Sequence, residues 1–223
     1  MLEFLPLLFV LTIIALVSFG VVAGSIVAAR KRRETLAKFA EDLGLEYQEI
    51  LPAQDASQFQ QFNLANKGRA RKATNAVTAD SGELRFVIFD YNYTTGSGKN
   101  STTRRQSVVM AFSSSSLQLP HFNISPESFL SKISDFFGFK DIDFVDDKAF
   151  SDAFLLHGAD EAAVRKFFTP ERRKKFFGFR DVSIEARDNS FIFYIPRRIC
   201  KSNEIRGLME RGFAIYTLLS SEE

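Results

Sequence analysis

The residue types able to do chemistry are few and scattered. Gly96-Ser97-Gly98-Lys99-Asn100 sets a lysine beside two glycines. A phosphate-binding loop needs a further upstream glycine, Ser or Thr after the lysine, and a helix to follow. Here Asn100 follows and the next residues alternate like a strand, so the run reads as a hairpin turn. Asp90, Tyr91, Tyr93 and Lys99 could still line the mouth of that hairpin, and His121 could complete a pocket with them. His121 and His157 are the two histidines, and neither stands at metal-ligand spacing with a cysteine or another histidine. No metal and no cofactor is expected. Cys200, the single cysteine, lies between Arg198 and Lys201, which could lower a thiol pKa, but no motif supports a nucleophile there. No Gly-x-Ser-x-Gly elbow occurs either. No catalytic residue is assigned.

The elements around these residues read as a mixture of helix and strand. Leu36, Phe39, Ala40 and Leu43 recur at helical spacing over 34–47, with Gly44 as terminator. Residues 48–60 read as a connector. Arg69–Ala79, Leu84–Tyr93 and Arg105–Phe112 read as an antiparallel meander. In its middle strand both faces are apolar, with Leu84, Phe86 and Ile88 on one side and Val87, Phe89 and Tyr91 on the other. Ser125, Pro126 and Glu127 then read as a helix start, with Phe129, Leu130, Ile133, Phe136 and Phe137 as its buried stripe. DFFGFKD at 135–141 is echoed by KFFGFRD at 175–181. The match is too short for a duplicated domain and reads as one helix-to-strand turn used twice. Ala153–His157 reads as a strand, Asp160–Phe168 as a helix, Val182–Ala186 with Phe191–Pro196 as a hairpin, and a final helix is capped by Ser202. Without regular βαβ alternation, the fold class is α+β: an N-terminal transmembrane helix followed by a mainly antiparallel sheet packed with helices.

The transmembrane expectation rests on Leu5–Ala29, which is 25 residues without a charge, followed by Arg30, Lys31, Arg32 and Arg33. At about 1.5 Å per residue this run reaches roughly 37 Å, enough for a hydrocarbon core of about 30 Å. The run is too long for a secretory signal and lacks a basic n-region. The membrane-flanking cations Arg30, Lys31, Arg32 and Arg33 are expected on the cytoplasmic side, meeting anionic lipid headgroups, with the N-terminus outside. Gly20 and Gly24 have the spacing of a transmembrane helix-packing face, hence a homodimer contact. The chain divides into 1–33, the anchor with its basic flank; 34–60, a juxtamembrane helix and connector; and 61–223, a soluble α+β domain.

Charge limits the partners. Of 29 Lys and Arg and 27 Asp and Glu, the first 33 residues hold four and one, which leaves 25 against 26, a net of −1. A near-neutral domain is a poor nucleic-acid binder, so no nucleic acid is expected. The sequons at Asn92, Asn100 and Asn123 matter only on the outer side of a membrane. The basic clusters Lys67–Lys72, Arg104-Arg105, Arg172–Lys175 and Arg197-Arg198 read as solvated faces; those that converge on the membrane side would meet anionic lipid.

AEDLGLEY (40–47), FDYNYTTGSGKN (89–100), QSVV (106–109) and LPHFNISPE (119–127) together resemble a group of bacterial single-pass membrane proteins with a cytoplasmic α+β domain, uncharacterised in activity. The resemblance implies a bacterial inner-membrane topology and no reaction. The expected function is therefore a membrane-anchored, non-enzymatic cytoplasmic domain that binds a protein or lipid partner at the inner membrane. The alternative is an enzyme with a pocket near the Asp90–Lys99 hairpin.

Overall fold

α1 (Leu5–Asp42) is one unbroken helix, about 57 Å long, that carries the apolar stretch directly into the folded part. A computed structural model describes residues 5–113, 115–132 and 141–221; of 5–22 and 130–132 it describes the backbone alone. Among the described residues no helix is long and apolar enough to cross a membrane. The expected span falls mostly on 5–22, whose side chains lie outside the described residues, as does the Gly20 half of the glycine pair. A Cβ added at Gly24 would meet nothing within 4 Å, so that face is open. Leu36 and Ala40 bury one stripe of α1. The helix stops where expected: Gly44 turns to φ +66°, and Leu45 N–H reaches back to the Ala40 carbonyl at 2.8 Å.

Eight strands follow: β1 (Glu46–Ile50), β2 (Arg69–Asp80), β3 (Arg85–Thr95), β4 (Thr102–Phe112), β5 (Leu119–Pro126), β6 (Phe154–Gly158), β7 (Ser183–Asp188) and β8 (Ser190–Tyr194). They form one sheet in the order β1-β2-β3-β4-β8-β7-β5-β6, antiparallel at every pairing. The α+β class with an antiparallel sheet holds. β3 is central and covered on both sides. Phe86 and Ile88 join a core beneath α1, α6 (Ile205–Ser220), α3 (Lys148–Ala153), α4 (Glu161–Phe167) and α5 (Pro170–Phe176). Val87, Phe89 and Tyr91 join a second core under α2 (Ala53–Phe59) and the segment 62–65. Each fully buried Phe contributes about 2–3 kcal/mol.

Four local expectations need correction. Residues 48–60 are no plain connector: they end edge strand β1 and form α2, whose Phe59 packs on Phe89 at 5.0 Å and Tyr91 at 4.9 Å. The capping signals at Ser125-Pro126 do not start a helix. Phe122 and Ile124 are buried at period two, so Leu119–Pro126 is a strand flanked by β6 and β7. Pro126 ends it, where a missing N–H costs least. Glu127–Lys132 is then a 3₁₀ helix, and 133–140, with most of the first FFGF copy, lies outside the described residues. The second copy does turn helix into strand, through a 3₁₀ turn at Phe177–Phe179. Ser202 opens a 3₁₀ turn, and Glu204 caps it by accepting the Lys201 N–H at 3.0 Å.

The Arg172–Lys175 cluster is not a solvated face throughout. Arg173 is buried, with Nε donating to Asp147 at 2.9 Å and Nη2 to Asp146 at 2.8 Å, and its guanidinium lies 4.1 Å from the Phe144 ring centroid.

Candidate functional site

Arg32, Leu36 and Ala40 recur every four residues, so they share one face of α1. The two apolar residues meet the core. Arg32, one turn nearer the N-terminus, meets the end of the buried part of β3. There Asp90 follows Ile88 on the same face of the strand. Arg32 Nε donates to Asp90 Oδ2 at 3.0 Å and Nη2 to Oδ1 at 2.9 Å, a two-pronged pair. The side chains are 16% and 12% exposed. Arg32 Nη1 donates to the Cys200 carbonyl at 2.5 Å.

Asp90 is a hub. Its Oδ2 also accepts from Asn75 Nδ2 at 3.0 Å and its Oδ1 from Ser107 Oγ at 2.9 Å. Asn75 sits at a bulge of β2 with φ +56° and accepts from the Tyr47 hydroxyl at 3.0 Å. Ser107 Oγ accepts from Cys200 N–H at 3.0 Å. One carboxylate thus ties α1 to β1, β2, β3, β4 and the segment leading into α6. Burial, with Glu204 nearby, pushes the Cys200 thiol up to about 11, so its cationic neighbours do not activate it.

Past this hub the sheet continues toward the N-terminal part of α1. Lys72, Asn92 and Arg105 stand in register across β2, β3 and β4, on the Asp90 face. Between α1 and the Asn92 and Arg105 part of this row lies a cleft of about 540 Å³, with Lys72 next to Asn92 but outside its lining. Ser25, Ile26, Ala28 and Ala29 form one wall; Thr74, Asn75, Asn92 and Arg105 line the other. Lys72 and Arg105 are exposed and make no ion pair among the described residues. Beside the cleft, Ile26 and Val27 are 61% and 65% exposed.

The remaining expected site residues are dispersed. Arg30 pairs with Glu34 at 2.7 Å and Arg33 with Glu49 at 3.0 Å, both exposed; Lys31 is exposed as well. Arg32 thus reaches the shielded face of the central strand, whereas Arg33 meets the exposed edge strand β1. Tyr91 and Tyr93 point to the opposite face of β3 from Asp90, where the Tyr91 hydroxyl donates to the Ala65 carbonyl at 3.0 Å. Lys99 sits exposed in the hairpin tip, a 3₁₀ turn at Gly98–Asn100. His121 is on β5, its Nε2 2.9 Å from Asp188 Oδ1, beside a separate cleft of about 80 Å³ with Asn123, Glu185 and Arg187. Of the five, Asp90 and Tyr91 border the cleft beside α1, and Tyr93, Lys99 and His121 do not. Among the described residues no group of three or more His, Cys, Asp or Glu could hold a metal ion.

Sequence reading missed Arg32 as an inward residue because the run of four cations masks the period. Extending the Leu36/Ala40 stripe by one turn would have found it. Asn75 and Ser107 carried no sequence signal.

No family model matches the chain, and no curated protein matches it. Among solved structures it is similar to the crystal structure of the mycobacterial trehalose monomycolate transport factor A, TtfA, with a TM-score of 0.55, covering 87% of this chain and 99% of that one. The likeness is one of fold. At 10% identity it carries no residue from one chain to the other.

Proposed function

We propose that the chain is a membrane-tethered α+β domain that binds a lipid or protein partner at the inner face of the membrane and does no chemistry itself. The observation that carries this reading is the docking of α1. The helix bearing the uncharged stretch is fixed to the sheet through Arg32 and Asp90, so Asn92 and Arg105 face residues 25–32 of α1 across the cleft, with Lys72 in register beside Asn92. If 5–29 lies in the bilayer, cations distant in sequence gather at the headgroup layer. Each contributes about 1 kcal/mol toward an anionic surface. The fold neighbour is named a trehalose monomycolate transport factor, which supports a lipid-related role. Of the residues of the enzyme alternative, only Asp90 and Tyr91 border one cleft, and Asp90 is taken up by Arg32, which favours the binding reading.

On this reading the resemblance to bacterial single-pass proteins holds, with the N-terminus outside, 34–223 in the cytoplasm, and Gly20 and Gly24 as a homodimer contact. Alkaline phosphatase fused at Glu223 should be inactive while a fluorescent-protein fusion there is bright, and carbonate washing should leave the protein in the membrane. An active phosphatase, or release by carbonate, would overturn the proposal. Gly24→Leu should lower the yield of crosslinked dimer.

A further inference from the structure

We infer that the cleft between α1 and the β2–β3–β4 end is a binding site for a single anionic glycerophospholipid, its phosphate held by Arg105 and Lys72. The inference deepens the membrane reading above and rests on it. The two walls of the cleft differ in kind. On the sheet side, Thr74, Asn75 and Asn92 present hydroxyl and amide groups, and Arg105 presents a guanidinium. On the helix side, Ser25, Ala28 and Ala29 are small enough to leave room for a chain, and Ile26 and Val27 expose apolar surface beside it. A molecule filling this space carries hydrogen-bonding groups on one side and hydrocarbon on the other.

The charge selects the headgroup. Asp90 is the acid that lines the cleft, and Arg32 neutralises it with two hydrogen bonds. Arg105 and Lys72 are left over, one on each side of Asn92. Two unmatched cations favour a phosphodiester and disfavour the ammonium of a zwitterionic lipid. A guanidinium fork suits two phosphate oxygens. The volume of about 540 Å³ lies within the range of small-molecule sites. It fits a headgroup with the first part of its chains, whose remainder would follow α1 toward its N-terminal half.

The larger cleft, about 970 Å³, is a poorer candidate for the same lipid. It lies by the C-terminal end of α6, next to Tyr216, which packs near Phe86 at the other end of β3 from Asn92. Its buried cation, Arg172, already donates to the Phe167 and Ser221 carbonyls.

The test uses the full-length protein, delipidated in mild detergent, with binding read by native mass spectrometry. Dioctanoyl-phosphatidylglycerol should bind about tenfold more tightly than dioctanoyl-phosphatidylcholine. Arg105→Ala and Lys72→Ala should each cost several-fold, Arg105→Lys should cost less than Arg105→Ala, and Arg180→Ala, remote from the cleft, should change nothing. Circular dichroism of each variant checks that the fold is kept. Inorganic phosphate binding as tightly as the lipid would assign the site to free phosphate and overturn the lipid. A hexaglutamate peptide competing as well as the lipid would assign the surface to an acidic protein segment and also overturn it. So would equal binding of the two lipids, or affinities indifferent to Arg105 and Lys72. Loss of lipid selectivity with the protein still resistant to carbonate would remove this inference alone; carbonate release would remove the tether beneath it.

Discussion

Arg32 and Asp90, 58 residues apart, meet through two hydrogen bonds at 2.9 and 3.0 Å, and they join the helix that carries the uncharged stretch to the central strand of the sheet. Without this pair Leu36 and Ala40 would still bury, but α1 beyond them would be free to lift from the sheet. The pair is mostly shielded from water, so removing one partner leaves the other as an uncompensated charge. Arg32→Ala should lower the unfolding free energy by roughly 2–4 kcal/mol, and Asp90→Ala by a similar amount. Arg32→Ala together with Asp90→Ala should cost less than the sum, with a coupling of roughly 1–3 kcal/mol. Urea unfolding of the full chain in detergent, followed by circular dichroism, reads all three. Additive effects would mean that the two residues act independently.

The same logic applies to Arg173, at 5% side-chain exposure. It donates to Asp146, Asp147 and the Phe168 carbonyl while its plane covers Phe144. A lysine supplies one charge but cannot fork to two carboxylates or stack in the same way. Arg173→Lys should therefore destabilise by roughly 1–3 kcal/mol, where exchange of exposed Lys174 or exposed Arg180 for the other cation should be nearly neutral. Thermal unfolding of the three variants side by side would decide it. A silent Arg173→Lys would mean that charge alone is used here.

How much could be read beforehand follows from the range of the signals. The β2–β3–β4 meander was legible because alternation and Gly turns are local, and so was the stop at Gly44. β5 was misread because Ser125, Pro126 and Glu127 satisfy a helix start so well that they outweigh the alternation of Phe122 and Ile124; pairing on both sides with β6 and β7, distant in sequence, settles the strand. The hub around Asp90 was half legible. Asp90 is expected at the mouth of the hairpin, but the pocket expected there also joins Tyr91 and Tyr93, whose side chains β alternation sends to the opposite face. Arg32, Asn75 and Ser107 reach Asp90 only through the fold.

Glu185 gives the molecule a pH response. It is fully buried on β7, and its carboxyl accepts from the N–H groups of Asn63 and Leu64 and from the Tyr194 hydroxyl. Burial pushes its pKa up; Lys67 and these donors pull it down, and burial prevails. Between the unfolded and folded pKa values the folded state therefore holds a proton that the unfolded state has lost. The Glu185 contribution is complete below about 4.5 and declines as pH rises through the folded value. Glu185→Gln keeps the acceptor for Asn63 and Leu64 and cannot ionise. The stability of the native chain minus that of Glu185→Gln should fall as pH rises from 4 to 8. A flat difference would show that folding leaves the Glu185 pKa unshifted.

Cys200 offers a check on the hub from a different side. Its N–H is held by Ser107 and its carbonyl by Arg32, and burial with Glu204 close by raises the thiol to about 11. The thiolate, the reactive form, is then about one part in a thousand at pH 8. Iodoacetamide at pH 8 should leave the folded full-length chain unmodified over an hour and label it fully in urea, as read by intact mass. Arg32→Ala frees the Cys200 carbonyl and loosens the segment that holds it, so the folded variant should label measurably faster than the native chain. Equal protection in both would mean that the segment before α6 is held by Ser107 and the core without help from α1, and rapid labelling of the native chain would mean that the thiol is not sequestered as described.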